Sequence, residues 1–311
     1  SRTSLWQNGG TSTTSTFPAR NNCKRMILRI FSTIVLSSIV IGGVIGFDEV
    51  GTMWILTVAA VCTQFEIYAM LGRLGFAANR ISGLATGAFL IPMGYYVEGA
   101  GMDAVAVGAL TMSGAAVLFP QAQRGMYVKR LLPTFFGLIY VPFLLHYFVR
   151  ILQTSGETPE GTAMSFGLFF CLWLLAVAKF SDIGALLVGK MIGRTKMAPS
   201  ISPGKTIEGL IGGIAASAGI GALLPWVLQN YRPELVSFDG VNFDPGSAAI
   251  LALPVAVAAV VGDLIASVLK RLANVKDSGG VIPGIGGMLD LTDSLILAAP
   301  TGYFLLLALL R

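Results

Sequence analysis

The sequence predicts an all-α, polytopic integral membrane protein with about nine transmembrane helices, and three observations predict it. Of 311 residues, 54% are hydrophobic and only 12% are charged, about half the charged share of an ordinary soluble domain, roughly 25%. Mean hydropathy is +0.76, and the apolar residues gather into runs close to the ~20 residues that a helix needs to cross a hydrocarbon core. The basic residues collect in alternate gaps between those runs, the pattern expected of a chain that crosses a membrane repeatedly.

In order along the chain, residues 1–25 are rich in Ser, Thr, Asn and Gly and read as a disordered cytoplasmic tail. Basic residues Arg20, Lys24, Arg25 and Arg29 flank the first apolar run, Met26 to Phe47, which is too long for a signal-peptide core and reads as a retained helix. Further runs occupy about 50–71, 82–97, 103–119 and 131–152 in an N-terminal region (26–160). Runs at about 164–189, 208–229, 247–270 and 291–310 make up a C-terminal region (161–311). With the N-terminus inside, the tail and the loops near 72–81, 120–130, 190–207 and 270–290 hold 17 of the 21 Lys and Arg, and the outside segments hold Arg150, Arg232 and Arg311. That asymmetry places the N-terminus in the cytoplasm and gives the +5 net charge a topological meaning, so no nucleic-acid partner is expected. Nine of the 16 acids fall in the outside loops.

Composition also narrows the chemistry. Three widely spaced cysteines (Cys23, Cys62, Cys171) give neither a disulfide framework nor a zinc site. The single histidine, His146, lies in an apolar run and reads as packing, which leaves His-based triads and zinc-protease helices without parts. Any metal must be held by oxygen ligands. The remaining acids, Glu66, Asp182, Glu208, Asp263, Asp277, Asp290 and Asp293, lie within spans or in the last two inside loops. At membrane depth a charge costs roughly 2.5–3.5 kcal/mol on insertion scales, so these positions point to function.

On a helix, Asp263, Ser267, Lys270 and Arg271 share one face, and Asp290 and Asp293 can converge on one cation at the entry to the last span. Oxygen ligands of this kind suit Mg²⁺ bridging to phosphate. Lys276 and Asp277 follow, and the run Pro283-Gly284-Ile285-Gly286-Gly287 allows either phosphate contact through backbone N–H groups or a tight re-entrant turn. In the preceding loop, Gly204-Lys205-Thr206 imitates part of a P-loop, but Pro199 stands where the pattern needs glycine and no strand precedes it. What remains is a basic, hydroxyl-rich segment, Ser202 to Thr206, with Glu208 in the first turn of the following helix. Gly42/Gly46 and Gly209/Gly213 have the spacing of close helix packing, and Trp54 and Trp226 of outer-interface residues. Glu66 reads either as a packing acid with an internal partner or as a site residue.

The blocks Asp182-Ile183-Gly184-Ala185, Ser202 through Gly209, Ser267-Val268-Leu269-Lys270-Arg271, Lys276-Asp277, Pro283-Gly284, Gly286-Gly287 and Asp290 resemble the phosphatidate cytidylyltransferase (CDP-diacylglycerol synthase) family in order and spacing. Glu66 is similar to that family's second-helix acid. The resemblance implies a homodimer in a bacterial-type inner membrane, a Mg²⁺-dependent site open to the cytoplasm, and condensation of CTP with phosphatidate. It implies Asp263, Asp290 and Asp293 as metal ligands and Lys270, Arg271, Lys276 and Asp277 as catalytic residues. Asp182, Ser202, Lys205, Thr206, Glu208, Ser267, Gly286 and Gly287 would contact the substrates. Ile285 and Leu291 depart from it, standing where members commonly carry His and Arg. Two rival readings are a CTP-dependent transferase or kinase acting on a prenyl lipid, and an ion-coupled transporter with acids in broken helices.

Overall fold

The computed structural model describes residues 49–97, 108–109, 111, 113–114, 127–154, 165–238, 241–280 and 286–310. Its elements are α1 (Glu49–Arg73), α2 (Arg80–Tyr96), α3 (Tyr127–Leu138), a π-helical turn (Ile139–Phe143), α4 (Leu144–Thr154) and α5 (Phe166–Ile192). A hairpin of β1 (Lys196–Ala198) and β2 (Ser202–Thr206) leads into α6 (Ile207–Tyr231). A second small hairpin, β3 (Ser237–Phe238) and β4 (Val241–Asn242), leads into α7 (Pro245–Leu272), and α8 (Leu289–Leu309) follows.

Six helical stretches among the described residues are long and apolar enough to cross a membrane: α1, the continuous α3–α4 unit from Lys129, α5, α6, α7 and α8. Helix α2, with 17 residues, corresponds to the run expected at 82–97. The expected run at Met26–Phe47 lies outside the described residues, as does most of 103–119. Helices α5 and α7, at 27 and 28 residues, are about 40 Å long against a hydrocarbon thickness of roughly 30 Å. Each can therefore carry polar residues in its final turns beyond the apolar layer.

The helix starts follow from local chemistry. Asn79 accepts from the Ser82 N–H at 3.3 Å, Ser165 from Leu168 at 3.2 Å and Thr206 from Gly209 at 3.1 Å, each capping its helix with a side-chain oxygen. Asp244 caps α7 ahead of Pro245, which occupies the first turn where no N–H is needed.

The helices pack in sequence, α5 on α6, α6 on α7, and α7 on α8, with α4 closing against α8. Small residues set the α5–α6 approach. A Cβ at Gly213 would stand 2.6 Å from the Ser181 carbonyl oxygen, and one at Gly184 would stand 2.5 Å from the Ala216 Cβ. The Gly209/Gly213 pair therefore serves close packing, as its spacing indicates. Trp173 is fully buried, donates to the Gly221 carbonyl at 2.9 Å, and meets Phe170 and Phe243 at centroid distances of 5.0 and 5.2 Å. His146 is buried with Nδ1 against the Phe143 carbonyl, a packing role. Trp54 and Trp226 are 51% and 58% exposed, and Ile211, Leu223, Ile250 and Phe304 lie open on the outer helix surfaces, as lipid-facing residues would.

The two ends of the bundle differ. At one end Glu49 accepts from the Tyr95 hydroxyl at 3.2 Å and from the Ser165 hydroxyl. The opposite end of α1 carries Glu66, which meets Ser278 and the start of α8. Among the described residues, Glu49, Tyr95 and Ser165 thus meet toward one end, and Glu66, Ser278 and the start of α8 toward the other.

Substituting Gly213→Val should force α5 and α6 apart and cost about 1–3 kcal/mol, read as a lowered thermal midpoint in detergent. Gly219→Ala, where a Cβ meets nothing within 4 Å, should leave that midpoint unchanged or raise it slightly.

Candidate active site

A charged cluster occupies the end of the bundle that carries the β1–β2 hairpin. Lys205 on β2 reaches Asp263 on α7, Nζ to Oδ2 at 2.6 Å. Lys270, two turns further along α7, meets Asp290 Oδ1 at 2.7 Å and Asp293 Oδ2 at 3.9 Å, both on α8. Lys179 on α5 donates to the Leu291 carbonyl at 2.6 Å and to Ser294 at 3.0 Å, with Asp182 Oδ2 4.0 Å away. Asp182, Asp263 and Asp293 are near enough to act on one another electrostatically. Four carboxylates and three lysines from four elements thus interlock, and each charge has a counterpart, as partly buried charge requires.

The loop between α7 and α8 is held by two carboxylates. Glu66, 3% exposed, accepts from the Met288 N–H at 2.8 Å, the Leu289 N–H at 2.9 Å and the Ser278 hydroxyl at 2.7 Å. It satisfies the first free N–H groups of α8, which has no cap of its own. Asp290 Oδ2 accepts from the Ser278 and Gly287 N–H groups at 3.1 and 3.0 Å, with the Ser278 hydroxyl also 3.0 Å away.

The glycines fit this arrangement. Gly286 has φ +131°, and a Cβ there would stand 2.7 Å from Asp290 Oδ2; one at Gly287 would meet Ser278 Oγ at 2.0 Å and Glu66 Oε2 at 2.3 Å. At the described end of the glycine run, the Gly287, Met288 and Leu289 N–H groups donate to carboxylates. Residues 281–285, and Ile285 with them, lie outside the described residues.

The other expected site residues separate by role. Thr206 is the cap of α6 and is buried. Glu208 accepts from Arg194 N–H at 3.1 Å and from Thr195 N–H at 3.1 and 3.2 Å, tying the end of α5 to the start of α6. Arg271 Nε donates to the Ile201 carbonyl at 3.0 Å, fastening the tip of the hairpin to α7. Ser202 and Ser267 are half-buried, Lys276 and Asp277 are exposed, and none of the four makes a polar contact among the described residues. The structure therefore brings Asp182, Lys205, Asp263, Lys270, Asp290 and Asp293 together and leaves Lys276 and Asp277 at the rim.

Lys179 and Ser278 are the participants that the sequence reading missed. A signal for Lys179 was present: a lysine inside a 27-residue apolar helix, three residues before an aspartate, is costly unless it is used. Ser278 carries no such signal. Its role depends on Glu66, 212 residues away.

No group of three or more His, Cys, Asp or Glu among the described residues is arranged as a protein-only metal cage. Mg²⁺ is commonly held by one or two carboxylates, with substrate phosphates and water completing the shell. The aspartates of this cluster are a donor set of that kind.

Several membrane-crossing helices with a lysine–aspartate cluster at one end define an integral membrane protein with partly buried, paired charge. The family it falls in is shown by its sequence: the chain belongs to the cytidylyltransferase family, whose model matches residues 27–309. It is similar to proteins named phosphatidate cytidylyltransferase from Synechocystis sp. (35% identical, covering 56% of this chain and 61% of the relative) and Bacillus subtilis (34%, covering 54% and 55%). The enzyme of that name from Rickettsia bellii is 41% identical over 54% of this chain and 67% of its own length. The chain thus spans a little over half the length of the first two relatives.

Glu66→Gln places an amide donor against the N–H groups of α8 and leaves at least one of them unpaired. A loss of about 1–3 kcal/mol is expected, seen as a lower thermal midpoint and faster proteolysis near Ser278.

Proposed function

We infer that this protein condenses CTP with phosphatidate to give CDP-diacylglycerol and pyrophosphate, in phospholipid biosynthesis. The observation that carries the reading is the convergence of Lys205, Lys270 and Lys179 on the aspartates of α5, α7 and α8, in a chain of the cytidylyltransferase family. The names of the relatives supply the substrates.

In the reaction a phosphate oxygen of phosphatidate attacks the α-phosphorus of CTP, a new P–O bond forms, and the bond to the β-phosphate oxygen breaks with release of pyrophosphate. The nucleophile is already an anion, so no serine, cysteine or histidine has to activate it. What the protein supplies is placement of two anions side by side and compensation of their charge. The side chains of Lys205 and Lys270 are 23% and 11% exposed in their ion pairs, and Lys205 Nζ itself is buried against Asp263. Each can exchange a carboxylate for a phosphate oxygen when substrate arrives. Arg271 and Lys276, at the rim, extend the positive surface toward the triphosphate.

Mg²⁺ is the cofactor in this reading. Asp263 and Asp293 are its first candidate ligands, with Asp182 beside them. Asp290, whose two oxygens are taken by Lys270, Ser278 and Gly287, would have to exchange a protein partner to join. Held by these aspartates, Mg²⁺ would supply positive charge that offsets the charge developing on the phosphates. The site faces the cytoplasm of a bacterial-type inner membrane, as the basic loops require, and the protein works as a homodimer.

Asp263→Asn should lower turnover of labelled CTP into extractable lipid at least about a hundredfold while the protein still folds in detergent. If the purified protein forms no lipid-soluble cytidine product with phosphatidate and Mg²⁺ but does so with a prenyl lipid phosphate, the substrate assignment is wrong. For orientation, single cysteines replacing Thr195 and Ser237 should react with impermeant maleimide only from the cytoplasmic and only from the external side, respectively. Labelling of both from one side would overturn the topology.

A further inference from the structure

Tyr140 stands out among the buried polar groups. It is 7% exposed, and its hydroxyl has no hydrogen-bond partner among the described residues, although a buried tyrosine hydroxyl normally finds one. Tyr68 shows the ordinary case in the same bundle, donating to the Thr134 carbonyl at 2.8 Å. The Tyr140 ring is fixed: it stacks on Phe136 with centroids 5.4 Å apart and planes 7° from parallel. It also lies in the π-helical turn Ile139–Phe143, a distortion that is found preferentially at functional sites.

Helix packing gives the direction in which Tyr140 faces. Seven residues later, Tyr147 meets Tyr303 of α8 at a centroid distance of 5.3 Å. The same spacing back along α8 reaches Ile296, and Asp293 lies one turn before it. The hydroxyl is within electrostatic range of both Asp293 and Asp263. It therefore borders the charged cluster from the side of α3–α4. Lys205 approaches from the hairpin, whereas Tyr140 lies 11 residues into the membrane-crossing stretch that begins at Lys129, about 16 Å along the helix axis. A water-soluble nucleotide comes from the hairpin side. A lipid phosphate comes from the bilayer side, where Tyr140 stands.

We propose that Tyr140 is a substrate-binding residue for the lipid, its hydroxyl donating a hydrogen bond to a phosphate oxygen of phosphatidate beside the Asp263–Asp293 cluster. This rests on the proposed function for its substrate and goes beyond it by assigning a residue outside the family motifs to the lipid. An O–H held apart from protein acceptors is a donor reserved for a ligand. The phosphate of phosphatidate is an anionic acceptor that the proposed reaction brings to that cluster, and the two KM values separate it from the phosphates of CTP.

The test is Tyr140→Phe, which removes only the hydroxyl. In the purified full-length protein in detergent, KM for phosphatidate should rise about tenfold, while KM for CTP changes less than twofold. The thermal midpoint without lipid should stay the same or rise, because the hydroxyl has no partner to lose. Direct binding of dioleoyl-phosphatidate, read by native mass spectrometry against phosphatidylglycerol, should weaken by a similar factor. If the wild-type protein is active and the variant matches it in phosphatidate KM and binding, Tyr140 is not a lipid contact, although the functional reading stands. A rise in KM for CTP alone, or a lowered midpoint with unchanged lipid binding, overturns the assignment equally. If the wild-type protein turns over no CTP yet binds phosphatidate selectively and the variant does not, the functional reading fails and the Tyr140 contact holds. Absence of selective phosphatidate binding by the wild-type protein overturns both.

Discussion

A carboxylate set within a membrane-crossing helix must find its donors inside the protein, and the way Glu66 does so governs the rest of the site. Its two oxygens take the first N–H groups of α8 and the Ser278 hydroxyl. The start of α8 is thereby fixed to α1, and with it the height and rotation of Asp290 and Asp293. A conventional side-chain cap would have satisfied the same helix end locally. Supplying it from α1 couples two parts of the chain more than 200 residues apart and ties Ser278 to the same carboxylate.

From that fixed point the remaining charges fall into place. Asp290 faces Lys270 with one oxygen and the glycine turn with the other, so the turn and α7 are held by the same group. Asp293, one turn along α8, faces into the cluster with Asp263 and Asp182. The hairpin that delivers Lys205 is pinned twice, at its tip by Arg271 and at its base by Thr206 and Glu208. The motif residues thus divide into those that hold backbone segments and those joined in the charged cluster. Thr206, Glu208, Gly286 and Gly287 belong to the first group, and Lys205, Asp263, Lys270 and Asp293 to the second.

Much of this was legible in the sequence because membrane burial makes each charge informative. Among the described residues the apolar runs located the helices to within a few residues, and four of the acids left in the C-terminal half, Asp182, Asp263, Asp290 and Asp293, lie in one charged cluster. The seven-residue step from Asp263 to Lys270 placed both on one face of α7, as found. The pairing was not legible. Asp290 and Asp293 have the spacing to share a cation, and the cation they share here is Lys270, 20 residues away on another helix. The partners of Lys179, Leu291 and Ser294, are 112 and 115 residues distant and left no trace in its local sequence. Gly286 and Gly287 read equally well as a phosphate cradle until Glu66 and Asp290 were seen to occupy their surroundings. Short-range spacing fixes which face a residue lies on, and only the packing of helices decides what stands opposite.

The order of these charges along the chain bears on how the protein enters its membrane. Lys179 precedes Asp182, Lys205 precedes Asp263, and Lys270 precedes Asp290 and Asp293. Synthesis runs from the N-terminus, so each acid of the cluster emerges after the base it pairs with. An aspartate entering the bilayer unaccompanied would be penalised, whereas one that finds an ammonium already lodged there is compensated as it arrives. The cluster can therefore assemble vectorially, one neutralised pair at a time, and Glu66 is the exception that waits for the last helix to complete it.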